Sequence, residues 1–267
     1  MTVTINGTGP IVADASGNVG IGTSSPAYLL DLSSSLNGTL LRGGLSSGIL
    51  LSNYNGEGHI SSGMTLASSG SWTARNTASA DININAGSSG ALVFYTNGGL
   101  TSGNAVNPTE RMRINSSGYV TAPYQPAFFV GGGSSSITTT AGSVLQFNTA
   151  SLDRTSSFNT STYRFTAPVA GVYVFHAEIY TQNGGTYVSF CWRRNGTQLA
   201  IGAPNWTTGD NMINYRGTMS SFGDFTQSST TMLNLALNDY IDIAVRTGAN
   251  SVYWYPNHSW FMGYLLG

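Results

Sequence analysis

The sequence predicts an all-β protein in two unlike parts: an N-terminal trimeric shaft of short strands, then a C-terminal jelly-roll sandwich. Three observations predict it. Apolar and polar residues alternate through Thr2-Val-Thr-Ile-Asn6, Asp81-Ile-Asn-Ile-Asn85 and Arg111-Met-Arg-Ile-Asn115, the period-two signal of half-buried strands. Asn-Gly, Ser-Ser-Gly and Gly-Gly punctuate these runs, as turns require. No stretch sustains a helical period. The 267 residues suffice for one large or two ordinary domains.

Composition narrows the partners. Charged residues make up 8% of the chain, lysine is absent and net charge is −1, where roughly 25% charged is usual. Aromatics at 11% separate it from disordered chains, which combine high net charge with few aromatics. The arginines are scattered, with only Arg111/Arg113 and Arg193/Arg194 close together. Nucleic acid is therefore not an expected partner, since its phosphates demand clustered cations, and no polybasic membrane anchor is present. No apolar run approaches the ~18 residues of a membrane span, so no membrane insertion is expected. Met1-Thr-Val-Thr-Ile-Asn-Gly7 lacks the features of a signal peptide, which points to synthesis in a cytoplasm and release by lysis. Cys191 is the one cysteine. It excludes an intrachain disulfide and reads as a buried structural thiol within Tyr187-Val-Ser-Phe-Cys-Trp192.

Residues 1–122 form the first part, expected to be a β-rich shaft with an anchoring region. Its apolar residues are small and sparse, so a single copy buries too little to offset its conformational entropy. Close association of three copies lets each thin apolar stripe face two others, with closed symmetry. A short repeat, Ala15-Ser-Gly-Asn-Val19 and Ser116-Ser-Gly-Tyr-Val120, supports a modular construction. Glycines alternate through Gly20-Ile-Gly22, a pattern that lets backbones approach an axis, with Val19 and Ile21 as the buried interface.

Two prolines within Thr121-Ala-Pro-Tyr-Gln-Pro126 favour an extended connection, and residues 123–267 form the second part. Strands are expected at Phe128-Phe-Val130, Val144-Leu-Gln-Phe147, Tyr163-Arg-Phe165, Gly171 to Tyr180, Tyr187 to Trp192, Met232 to Leu237, Tyr240 to Val245 and Trp260 to Leu266. So many strands without helices argue for a sandwich or jelly roll.

Within this second part, Tyr163-Arg-Phe-Thr-Ala-Pro-Val-Ala-Gly-Val-Tyr-Val-Phe175, Arg194-Asn-Gly196, Met232 to Asp239 and His258-Ser-Trp-Phe-Met-Gly-Tyr-Leu-Leu266 follow one another in a distinctive order. Together they resemble the trimeric globular head shared by complement component one-q and the tumour necrosis factors, over Gln125 to Gly267. The resemblance implies a recognition domain rather than an enzyme. It gives core roles to Phe165, Tyr173 and Phe175, a tight turn to Gly171, and a turn at Asn238-Asp239 where the family has Gly-Asp. It puts the closing strand, with Phe261, Tyr264 and Leu265, at the trimer interface, and Phe128 is grouped with them. No collagen-like stalk precedes the head, which together with the missing signal peptide disfavours a secreted animal lectin. The segment from Ile201 to Phe225 is longer than the resemblance leads one to expect.

Gly17-Asn-Val-Gly-Ile-Gly-Thr-Ser-Ser-Pro26 and Thr109-Glu-Arg-Met-Arg-Ile-Asn-Ser-Ser-Gly118, the latter after Leu92-Val-Phe-Tyr-Thr96, are similar to segments of bacteriophage tail fibres. The combined resemblance implies a homotrimeric virion fibre, anchored to other virion proteins through its N-terminal region, that attaches to a bacterial surface glycan or protein. A structural head fibre or capsid decoration is the alternative. Trp206, Tyr215, Tyr253, Trp254 and Tyr255 are the expected receptor-binding aromatics, on loops, with packing against a neighbouring subunit as the competing reading. His59, His176 and His258 are scattered, His176 in a stretch expected to face the core, so no metal site is expected. Asp14, Asp31, Glu57, Asp81 and Glu110 are spread thinly, and Asp239 and Asp242 read as turn and strand-edge residues. With no carboxylate pair or nucleophile-base arrangement, neither catalysis nor a cofactor is expected.

Overall fold

A computed structural model describes residues 11–21, 23–32, 38–42, 49–86, 89–133, 136–182, 188–199, 212–216, 224–246 and 252–267. The expected strand Thr2–Asn6 and Trp206 lie outside them. The chain divides into two compact units, Met1–Pro123 and Tyr124–Gly267, and strands dominate both.

In Met1–Pro123 a 7-stranded antiparallel sheet runs in the order Val120–Thr121, Glu110–Ile114, Ala91–Gly98, Ala78–Ala86, Glu57–Ser62, Leu50–Tyr54, Gly38–Arg42. A 3-stranded sheet joins Ala105–Val106, Trp72–Ala74 and Met64–Leu66. Another contains Ile11–Ala13 and Val19–Ile21, with Leu30–Leu32 parallel to the latter.

The short repeat is one turn used twice. Asp14 Oδ1 accepts the N–H groups of Ser16 and Asn18 at 2.9 Å, and Asn115 Oδ1 accepts those of Ser117 and Tyr119 at 3.0 Å. Gly17 (φ +82°) and Gly118 (φ +83°) take the left-handed position that L residues avoid. Each turn closes a hairpin, Ile11–Ala13 with Val19–Ile21 and Glu110–Ile114 with Val120–Thr121. The same backbone bonds recur at Ala67–Gly70, where Ala replaces the side-chain acceptor, so sequence comparison passes over this third copy. Gly20 does approach other backbone closely, but within its own chain: a Cβ there would lie 2.7 Å from Thr23 O.

Tyr124–Gly267 is a two-sheet jelly roll. One sheet has the order Ile137–Thr139, Val252–Trp254, Gly171–Gln182, Trp260–Leu265, Ala127–Gly131, Thr149–Asp153, and Asp224–Leu235 pairs with Gly171–Gln182 along its length. The other has the order Phe158–Asn159, Arg164–Thr166, Tyr240–Val245, Val188–Arg194, Thr197–Gln198, with Met212–Arg216 also on Val188–Arg194. Alternation aims Tyr173, Phe175, Ala177 and Ile179 inward, against Phe165, Phe190, Trp192, Ile241 and Ile243 of the facing sheet. Phe128 lies at the centre, its ring 4.8 Å from Phe261, 4.9 Å from Phe165 and 5.2 Å from Phe158.

Several sequence expectations change here. Val144–Phe147 makes a single bridge, Val144 to Ala244, rather than a strand. Val252–Trp254, expected in a loop, is a strand paired with Ile137–Thr139. Gly171 begins a strand instead of making a tight turn, and a Cβ there would lie 2.7 Å from Leu265 Cδ1. Gly263 is required by the core, since a Cβ would lie 2.4 Å from Phe175 and 2.8 Å from Phe128. Asn238 does hold the permissive conformation, with φ +69°.

Candidate functional site

Phe128 and Phe261, expected at a trimer interface, do not reach the surface of the protomer. Both side chains are buried, at 2% and 0% exposure, within the protomer's own core. Their strand neighbours face the other way. Phe129 pairs with Leu152 on one side and Met262 on the other, and Met262 pairs with His176. Tyr264 pairs with Val174, which pairs with Met232. Trp260 stacks on Phe129 at 5.5 Å and on His176 at 4.7 Å. His176 therefore lies on the outer face rather than toward the core. Phe129, Leu152, Met232 and Tyr264 are exposed, Met232 at 61%, and Leu265 is half-buried. The result is an outer face rich in aromatic and thioether side chains, in which Glu178, the cross-strand partner of Trp260, is the charged member. Beside it a concavity of ≈ 360 Å³ is lined by Phe129, Trp260, Gly132, Pro256 and His258.

The expected receptor-binding residues fare unevenly. Trp254 is 0% exposed, and its Nε1–H donates to Thr139 Oγ1 at 3.0 Å, so it is a core residue and not a contact. Tyr215 falls in the Met212–Arg216 strand, with its side chain outside what is described. Tyr253, 39% exposed, shares a 2.8 Å hydrogen bond with Ser136. Tyr255 is half-buried and lies 5.7 Å from Tyr253, 5.3 Å from Tyr180 and 6.0 Å from His258. Tyr180 and His258 complete this aromatic cluster at 5.4 Å. Sequence reading missed Tyr180 as a partner, although its place at the end of the longest alternating run was visible.

The N-terminal unit has an apolar face of its own. Leu51, Ile60, Ile82, Phe94 and Met112 are successive cross-strand partners, and Ile84, Leu92 and Ile114 form the next row. Leu51, Ile60 and Ile84 are exposed, Ile84 at 50%. The opposite face buries polar groups, among them Ser52, His59, Ser61, Asp81 and Asn83. In the separate small sheet, Ile21 is exposed and Val19 half-buried.

Several charged side chains among the described residues meet in tight clusters. Asp242, expected at a strand edge, is fully buried in mid-strand. It accepts from Arg193 Nε at 2.6 Å and Nη2 at 2.9 Å, and from Arg164 Nε at 3.0 Å. Asp239 accepts from Asn195, Arg194 and the Ala236 N–H, and these bonds hold its pKa down to about 2. Cys191 is buried, and loss of solvation pushes its thiol up to about 11, which leaves almost no thiolate at neutral pH. No group of three His, Cys, Asp or Glu side chains able to hold a metal occurs among the described residues. No helix among them is long and apolar enough to cross a membrane.

The model of the C1q domain family matches residues 127–266. Among solved structures, the globular domain of zebrafish complement 1qA is similar at 19% identity, covering 54% of this chain and 98% of that one with a TM-score of 0.40. The Eiger tumour necrosis factor of S. frugiperda is similar at 16% identity, covering 54% and 93% with a TM-score of 0.41. Murine APRIL at pH 5.0 is similar at 12% identity, covering 53% and 98% with a TM-score of 0.37. No curated protein matches the chain.

Proposed function

We propose, from the premise that this chain belongs to the C1q domain family, that it is a homotrimeric bacteriophage fibre protein attaching a virion to a bacterial surface glycan or protein. Domains of this family usually form homotrimers and often bind ligands, and they are generally binding or structural rather than enzymatic. The observation that carries the trimer is the largely apolar outer face of Phe129, Leu152, Met232, Trp260, Met262 and Tyr264. An exposed apolar patch of this kind marks a protein contact. The apolar rows of the N-terminal sheet supply a second such face in the shaft.

Attachment then falls to an aromatic cluster beside the outer face of the C-terminal unit. Tyr180, Tyr253, Tyr255 and His258 offer aromatic surface and hydroxyls suited to stacking on sugars. Three copies of a weak site on one particle gain avidity. The virion setting rests on the fibre-like segments Gly17–Pro26 and Thr109–Gly118, where the repeated hairpin turn makes a modular shaft. A structural head fibre or capsid decoration is favoured by one observation: Trp254, one of the expected receptor-binding aromatics, is core.

Sedimentation equilibrium on the purified chain tests the trimer, and a monomer at micromolar concentration overturns it. Gold labelling of intact virions with antibody against residues 127–267 separates the two settings: tail-tip label with adsorption abolished by Tyr253→Ala supports attachment. Capsid label with unchanged adsorption supports the structural appendage.

A further inference from the structure

We infer that the N-terminal unit carries a binding site of its own for one neutral sugar residue, a hexose or N-acetylhexosamine, in the cavity beside the His59–Asp81 pair. The cavity measures ≈ 350 Å³, within the range of ligand pockets, about 300–1,000 Å³. Tyr54, Trp72 and Tyr95 give it aromatic walls, and Glu57, Asp81 and Asn83 give it polar ones.

The polar wall is rich in acceptor oxygens. His59 Nδ1 lies 2.8 Å from Asp81 Oδ2, and its Nε2 lies 3.6 Å from Glu57 Oε2. The Asn83 amide donates to Glu57 Oε2 at 2.8 Å. The Asn83 amide and one His59 nitrogen are thereby engaged with the wall's own carboxylates. Asp81 Oδ1 and Asn83 Oδ1 remain buried without a hydrogen-bond partner, an arrangement that folded proteins rarely leave unfilled. Burial raises the Asp81 carboxyl above its ordinary pKa despite the lowering bond and charge of His59, so the carboxylate is under-solvated where it stands. A ligand that brings hydroxyl donors, directly or through one water, completes these acceptors.

The same wall sets the class of ligand. Glu57 and Asp81 repel anionic sugars, while hydroxyls on a flat apolar ring suit acceptors set among aromatic faces. Trp72 is held edge-on to His59, with centroids 5.1 Å apart and planes at 76°, which fixes that wall before any ligand arrives. The unit thus buries polarity at a cavity, where recognition can use it, and the site does not rest on any role of the C-terminal unit.

Saturation-transfer difference NMR on the full chain provides the test, with glucose, galactose, mannose, N-acetylglucosamine and N-acetylgalactosamine as probes and glucuronate as the anionic control. At least one neutral sugar receives transfer at millimolar concentration, and glucuronate does not. Asn83→Leu removes an acceptor, and Asn107→Trp blocks the mouth from an exposed loop position on the cavity rim. Each weakens binding at least tenfold, whereas Tyr253→Ala in the other unit leaves it unchanged. Asn107→Trp touches no buried group, so it remains decisive if Asn83→Leu fails to fold. Absence of transfer to every neutral sugar overturns the site, as does equal binding of glucuronate or undiminished binding in folded Asn107→Trp.

Discussion

The two units distribute polarity in opposite ways. In the C-terminal unit Phe128, Phe165, Phe175, Trp192 and Phe261 fill a closed interior between two sheets, and a burial of that kind sustains a domain by itself. In the N-terminal unit the main sheet buries Ser52, His59, Ser61, Asp81 and Asn83, while Leu51, Ile60 and Ile84 meet solvent. Among the described residues its enclosed apolar clusters are small, Met64 with Ala74 and Val106, and Ala91 with Val93. One unit is thus a self-sufficient core that also leaves an aromatic-rich face in solvent. The other leaves apolar rows at its surface and places polar groups where it is buried.

The sharpest way to break this contrast is to open the head's core. Phe128→Ala removes a ring in contact with Phe158, Phe165 and Phe261 and is expected to cost about 3–5 kcal/mol, read from urea unfolding of the full chain. The matching deletion in the N-terminal unit, Val93→Ala, is expected to cost about 1 kcal/mol, because its enclosed cluster is small. Equal losses at the two sites would show that both units rely on their interiors alike.

How far the sequence reveals this contrast depends on what sets each feature. Strand type is local, so alternation from Tyr173 to Ile179 and the Asp14 and Asn115 turns are legible. Parity within an aromatic pair is not: Phe128 and Phe129 differ by one residue and a whole face, and only the register with Met262 and Gly263 assigns them. Trp254 sits in a 3-residue strand too short to show a period, so its neighbours Tyr253, Tyr255 and Pro256 suggest a loop. Asp242 meets Arg193 as a direct cross-strand partner, and His59 and Asp81 come from adjacent strands 22 residues apart. Such pairings are set by register, which no run of residues announces. A sparse, scattered set of charges therefore conceals two tight clusters.

A smaller effect probes the polar side of the head. Asp239 has a folded pKa of about 2 against an ordinary 3.8, so on acidification the unfolded chain takes up this proton first. Its contribution is complete above pH 3.8 and is lost as pH falls through about 2. Asp239→Asn keeps an acceptor for the Ala236 N–H but loses the charge facing Arg194, and is expected to cost about 1–2 kcal/mol at pH 7. The gap between variant and parent should close as urea unfolding is repeated toward pH 2. A constant gap would mean that Asp239 acts through shape and not through charge.

The smallest effect on folding carries the most information about the N-terminal unit. Ile60 and Ile84 are exposed on the protomer, so replacing both with Asn is expected to change the stability of an isolated protomer by less than about 0.5 kcal/mol per site. Both nevertheless belong to the apolar rows through Ile82 and Leu92. If those rows meet their counterparts in a trimer, each substitution buries an amide where an aliphatic chain packed, at a cost of about 1–3 kcal/mol per copy. Sedimentation should then show weakened trimers at a concentration where the parent is fully assembled. Limited proteolysis should cut residues 1–123 before 124–267. Unchanged assembly and unchanged cleavage would mean that the head alone holds the copies together, and that the exposed rows of the N-terminal sheet are covered by a different protein.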